Sequence, residues 1–499
     1  MIYLANCIYK NKFALIGIDR EKGVFSSIKI YEDDKFSKNM LLSEFGENFE
    51  LVKIERLFES NNEEILKCEK LSNEHLVFNC NGMLILPGAI DPHVHFDTPG
   101  YDFREDFSSA SAAAIAGGVT TIIDMPCTSI PPVTNRKNFN EKLSIISNMS
   151  YCDFAFFGGI CGKTIEEKNF ENNITDLISC GVKGFKSYLI SGMESFPRIT
   201  NYQLYKAART CYEVKKPLLL HAEDYEFIDG YIKEFIKQFK KKISDNQQNY
   251  SYLSHDMQIK LYCESRSDLA ELIAVGNAAA VAEKTGATIH IVHLSSKKAV
   301  DFIKSAKRRC DITFETAPHY LQWTEENFEE YGSIIKTAPP VKKLKDKIAL
   351  RKSLYNGQCL FIASDHAACK LEEKNTGSFL EDYGGINGVQ TIYQYIISEF
   401  LDKIPIERLI QLTSENAAKF YGIYPVKGAI LKGSDADFVL IEKDKRFRFN
   451  NNMLYSKMKI SPFNNFLFNH KIYATFLRGK PAYFSEKGIL INKGEGKYI

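Results

Sequence analysis

Between residues 83 and 366 the chain repeats one unit: a short, continuously apolar run rich in Val, Ile and Phe, then a helical stretch. The runs are MLILPGAI (83–90), VTTIIDM (119–125), CDFAFFG (152–158), GFKSYLI (184–190), PLLLHAE (217–223), TIHIVHL (288–294), ITFETAP (312–318) and LFIASDH (360–366). Apolar runs of this length suit strands buried on both faces. Stretches between them, such as EDFSSASAAAIAGG, are Ala-rich and end at glycines suited to a helix C-cap. Eight β–α units predict an α/β fold, a closed (β/α)8 TIM barrel over residues 83–424, rather than an open doubly wound sheet.

The two ends differ from the middle. Residues 1–82 hold short strand-like runs such as FALIGI and SSIKIYE, and residues 425–499 hold GAILKGSDADFVLIEK and IYATFLRGKPAYF, with turn-forming Gly, Asp and Pro. Both segments are expected to pair into one small composite β-sandwich, since chain termini often lie close together. The charged run KQFKKKISDNQQN (237–249) lengthens the connection after the fifth run, so residues 224–262 are the place to expect a lid.

A chain of 499 residues with 44% hydrophobic content can bury a large core, and a net charge of +2 gives no reason to expect a nucleic-acid or membrane partner. No segment approaches the roughly 20 apolar residues of a membrane span. The first residues lack the order of a secretory signal. Twelve cysteines without CxxC pairs read as reduced thiols in a cytoplasmic protein.

In a barrel the active site lies at the C-terminal ends of the strands. The polar residues there are His93 and His95 from the first run, Lys186 in the fourth, His221 in the fifth, His293 in the sixth and Asp365 in the eighth. Alternation puts His93 and His95 on one strand face. Singly, each has a plain structural explanation: a hydrogen-bonded His, a Lys paired with a buried acid, an Asp capping a helix. Six such residues on five strand ends, all on one side, do not fit that explanation together. The other histidines (His75, His255, His290, His319, His366 and His470) fall outside this geometry and read as structural.

Imidazole and carboxylate are good ligands for divalent ions, zinc first among them. An ammonium is not a ligand. Lys186 belongs in such a set only if its neutral amine has taken up carbon dioxide as a carbamate (N6-carboxylysine), an anion that two adjacent cations would stabilise. Two ions about 3.5–4 Å apart can lower the pKa of a shared water toward neutrality.

The motifs DPHVH, GFKSYL, LLLHAED, HIVHLSS and ASDHA, in that order, resemble the amidohydrolase superfamily, and within it the cyclic-amide group of allantoinases, dihydroorotases and dihydropyrimidinases. The resemblance runs nearly the whole chain and includes AGGVTTIIDMP and ETAPHYL. It implies His93 and His95 on one ion, His221 and His293 on the other, carbamylated Lys186 bridging them, and Asp365 as both ligand and proton shuttle. The implied reaction is hydrolysis of a ring amide in a small-molecule substrate by a relative of proteins that are commonly homodimers or tetramers. GGICGKT is not a phosphate loop, because Phe157 occupies the place of its first Gly.

Departures from the relatives' patterns bear on the substrate. Dihydroorotases of this type carry a carboxylate-binding Arg where this chain has Asp97, Asn in the turn where it has Cys127-Thr128, Asn at Ala338 and His at Cys369. Asp97 would repel a carboxylate, so a neutral, nitrogen-rich ring is expected, with Asp97 accepting its N–H groups. The alternative for Asp97 is turn stabilisation before Thr-Pro-Gly. Hydantoinases place a Tyr where this chain has Ser191, and SGMESFP and YGGINGVQ look most like allantoinase. Hydantoins, dihydropyrimidines and oxidised purines such as xanthine are the alternative substrates. A dihydroorotase, a non-enzymatic scaffold, and a phosphotriesterase or deaminase on the same barrel rank below them.

Overall fold

The computed structural model describes residues 1–32, 36–59, 75–240 and 253–499. Barrel strands run at Ala89–His95, Val119–Asp124, Asp153–Phe156 (continued by Gly158–Gly159), Phe185–Tyr188, Leu218–His221, Ile289–Ile291, Ile312–Thr316 and Phe361–Ile362. Each pairs in parallel with the next, as the β–α alternation requires. The ring closes beyond the last strand, where His366–Ala367 pairs with Val94 and His95. The Asp91 carboxylate bridges the seam by accepting from the His93 and Ser364 backbone N–H groups at 3.3 and 3.0 Å. The fold is the expected (β/α)8 barrel with an added β-sandwich domain.

The helix Phe107–Ala116 shows how local sequence sets the outer layer. The Asp106 side chain caps it by accepting from the Ser108 and Ser109 N–H groups, and Gly118, at φ 82°, ends it. Its alanines are buried, which lets it lie close on the barrel.

The terminal segments form one ten-stranded sheet, its strands drawn from residues 2–87 and 438–489. The first apolar run is divided between the two layers at Gly88, later than the expected boundary at residue 83. Leu84–Pro87 pairs antiparallel with Phe438–Glu442 of the terminal sheet, whereas Ala89–His95 belongs to the barrel. The reason is that both pieces are buried on both faces, so hydropathy cannot separate them. Gly88 permits the crossover because a Cβ there would meet the Thr120 side chain at 2.2 Å. The last residues also return to the barrel, with Tyr498 bridging to Phe154 and its ring packed among Phe139, Phe154 and Phe156.

The connection after the fifth strand includes the helices Tyr225–Lys240 and His255–Ser265. Residues 241–252, the centre of the charged run and of the expected lid, lie outside the described residues.

Candidate active site

The six predicted residues converge. His93, His95 and Asp365 offer three ligand atoms within 4.8 Å of one another. Asp365 Oδ1 lies 3.3 Å from His93 Nε2 and 3.6 Å from His95 Nε2. On the other side His221 Nδ1 and His293 Nε2 stand 3.0 Å apart, and the His93 and His293 rings are 5.3 Å apart. Lys186 is fully buried, with no hydrogen-bond partner for Nζ, which lies 4.8 Å from the centre of the Tyr188 ring. His293 and Asp365 are not strand residues. They follow their strands in left-handed backbone, at φ 40° and 50°, a conformation uncommon for non-glycine residues and frequent at functional sites.

Acids and a second layer of donors orient the imidazoles. His93 Nδ1 donates to Glu315 Oε1 at 2.5 Å, which leaves the Nε2 lone pair facing Asp365. His290 Nε2 holds the other Glu315 oxygen at 3.3 Å, itself fixed through Nδ1 on Thr313 at 2.7 Å. His221 Nε2 donates to Glu223 at 2.9 Å, so its Nδ1 lone pair faces His293; Arg266 neutralises Glu223. Such outer partners fix the tautomer and direction of metal-binding imidazoles. Sequence reading missed Glu315, Glu223 and Arg266, and read His290 as structural. The usable signal was a lone acid inside a buried run (Glu315) or two residues after a strand-end His (Glu223).

Burial, reinforced by Lys186 and the neighbouring imidazoles, holds His93 and His293 well below the usual range, and burial lowers His221 as well. His95 goes the other way: burial opposes its charge, but Cys127 and Asp365 outweigh it and push it up to about 10. Burial lowers Lys186 to about 8, which brings its neutral amine within reach near neutrality.

A cavity of about 760 Å³ opens on the cluster, lined by His95, His221, His293 and Asp365. A cavity of about 450 Å³ on the outer helices, beside Lys260, Asp268 and Lys298, holds none of these residues. The expected substrate contacts divide. Thr128, Ser191 and Ala338 line the large cavity. Thr128 Oγ1 is 3.2 Å from His95 Nδ1, and the Ser191 hydroxyl donates to the Phe196 carbonyl at 2.8 Å. Cys369 and Asp97 are not on its wall. Asp97 is 1% exposed at φ 59°, with its Oδ2 unpartnered and its carboxyl driven well toward the neutral form by burial. The left-handed turn carries it behind the wall, so the role expected of it as an acceptor of substrate N–H groups has no support in its position. The Cys127 thiol is 3.0 Å from the Tyr188 hydroxyl, and Tyr188 lines the cavity.

The amidohydrolase family model matches residues 84–482. The allantoinase of Deinococcus radiodurans is 32% identical over 407 residues, 81% of this chain and 85% of that protein. The allantoinase of Rubrobacter xylanophilus is 31% identical over 425 residues, 84% of this chain and 88% of its own length. Among solved structures, the L-hydantoinase (dihydropyrimidinase) from Arthrobacter aurescens superposes with a TM-score of 0.82 at 23% identity, covering 100% of this chain and 99% of its own. The chain belongs to the amidohydrolase family, as one of its metal-dependent hydrolases of cyclic amides.

Proposed function

We propose that the chain opens the ring of a cyclic ureide, with allantoin as the first candidate, at a binuclear site. In this reading His93 and His95 hold one divalent ion, His221 and His293 the other, Lys186 bridges them as its carbamate, and Asp365 is both a ligand and the proton carrier. The observation that carries the reading is Lys186: a buried amine with no hydrogen-bond partner, close enough to His93, His221 and His293 to repel charge on all three. An unpaired buried ammonium is costly, and conversion to a bridging anion removes that cost. The facing nitrogens of His221 and His293, 3.0 Å apart, fit the same group, since they are close enough to share one ion in place of the hydrogen bond they can make with each other. Zinc suits this donor set. Allantoin is favoured by the relatives that share about a third of the sequence.

Two bound ions would acidify a water and polarise the ring carbonyl. The chain does the rest. Glu315 and Glu223 hold two imidazoles in the required tautomers. Asp365, on the cavity wall beside His93 and His95, is placed to carry a proton to the departing ring nitrogen. Every cysteine among the described residues is free, which suits a reducing cytoplasm. Assembly as a homodimer or tetramer is part of the same proposal, and light scattering measures it.

The test is a ring-opening assay with allantoin, hydantoin, dihydrouracil, dihydroorotate and xanthine on zinc-reconstituted protein in bicarbonate. Allantoin should be the best substrate; turnover of dihydroorotate alone would overturn the substrate reading. Mass spectrometry of the intact protein should show the carbon dioxide adduct, and Lys186→Ala should abolish it.

A further inference from the structure

The residues that differ from the relatives do not supply an outer contact for the substrate. Asp97 and Cys369 are off the wall, the Ser191 hydroxyl is engaged by Phe196, Thr128 faces His95, and Ala338 has no polar side chain. Arg104 is different. It lines the cavity, and its Nε and Nη2 both reach Glu373 Oε1, at 2.7 and 2.6 Å. The other Glu373 oxygen accepts from the Lys370 N–H at 3.0 Å, which fixes the carboxylate. The guanidinium carbon lies 4.4 Å from the centre of the Tyr383 ring, and Tyr383 lines the same cavity. Arg104 is therefore gripped along one edge by a carboxylate and on one face by an aromatic ring. The remaining N–H groups of its fork, on Nη1, have no acceptor among the described residues.

We propose that Arg104 is the specificity-determining residue of this site, its Nη1 edge donating to the exocyclic carbonyl of a ureido arm on the substrate ring. This rests on the ring-opening reading above. A neutral carbonyl fits better than a carboxylate because Glu373 already balances the charge of Arg104, which leaves a directional donor rather than a net positive site. A charge-assisted hydrogen bond from a pre-organised donor gives strong discrimination against rings that lack the acceptor.

The test compares kcat/KM for allantoin with kcat/KM for unsubstituted hydantoin, on zinc-reconstituted protein checked for fold by circular dichroism and for metal content. In Arg104→Gln the allantoin-to-hydantoin ratio should fall by about 10- to 100-fold. In Glu373→Gln, which keeps the guanidinium but loosens it, the ratio should fall about threefold to tenfold. Glu373→Gln carries the test if Arg104→Gln does not fold. Calorimetric affinity of the metal-free protein for allantoin should weaken in step. An unchanged ratio in an active enzyme overturns the inference and leaves the reaction standing. A fall confined to hydantoin-5-acetate would show a carboxylate as the ligand and also overturn it. A wild type that opens neither allantoin nor hydantoin overturns the ring-opening reading itself.

Discussion

Two clusters of buried charge sit at opposite ends of this barrel, and they are built on opposite rules. At the start of the third strand the Lys427 ammonium is 1% exposed and touches Asp153, Asp435 and Asp437, the last two at 2.7 Å. Arg478 pairs with Asp153, and the backbone N–H groups of Lys497 and Arg478 occupy further carboxylate lone pairs, each at 2.8 Å. Each charged group in that cluster has a partner, and the cluster ties the barrel to the terminal sheet and the C-terminal tail. At the other end, Lys186 Nζ and His293 Nδ1 are buried without hydrogen-bond partners. A satisfied buried network is a structural joint. A buried set left unsatisfied is a site shaped for something the chain does not itself contain.

The sharpest way to break this contrast is to remove each lysine. Lys186→Met should lower turnover on the order of a thousandfold or more and lose bound metal, measured by plasma mass spectrometry, while the melting temperature of the metal-free protein, compared with metal-free wild type, holds or rises. A buried ammonium without a partner costs stability, and an apolar side chain of similar length does not. Lys427→Met should do the reverse: it leaves three carboxylates together and should cost about 3–5 kcal/mol in urea unfolding, with metal content per folded molecule unchanged. If the two substitutions destabilised the protein equally, the distinction between joint and site would fail.

What the sequence disclosed follows the same line. The barrel was legible because strands buried on both faces must be continuously apolar, and the terminal strands because turn residues punctuate them. His93, His95, Lys186 and His221 were legible because they lie in strands whose ends are fixed by the barrel. The aim of His293 and Asp365 was not legible from periodicity. Both stand past their strands in left-handed backbone, where alternation has no authority. Glu315 could be seen as an acid in a buried run, but its role depends on contact with His93, 222 residues earlier in the chain. The division of the first run at Gly88 was invisible for the reason that two buried strands in different layers have the same hydropathy.

Glu315→Gln keeps an acceptor for His93 Nδ1 but puts an NH2 group where the oxygen facing His290 stood, which loosens the support of the His93 ring, so metal affinity should fall about 10- to 100-fold, read by competition with a chelator. Stability should change little, because the replacement has the same shape.

The smallest effect is expected at Asp97, the residue the sequence made most conspicuous. Its backbone is left-handed at φ 59°, a conformation that Asn adopts as readily as Asp. Burial holds its carboxyl toward the neutral form, and a neutral carboxyl and an amide are close in size and polarity. Its side chain is also off the cavity wall. Asp97→Asn should therefore change kcat and KM for allantoin by less than about twofold, whereas Asp97→Ala should lower stability by about 1 kcal/mol through backbone strain alone. A tenfold rise in KM in Asp97→Asn, with the metals retained, would mean that the carboxylate reaches the substrate. Recognition would then belong to the turn that follows the paired histidines rather than to the wall that carries Arg104.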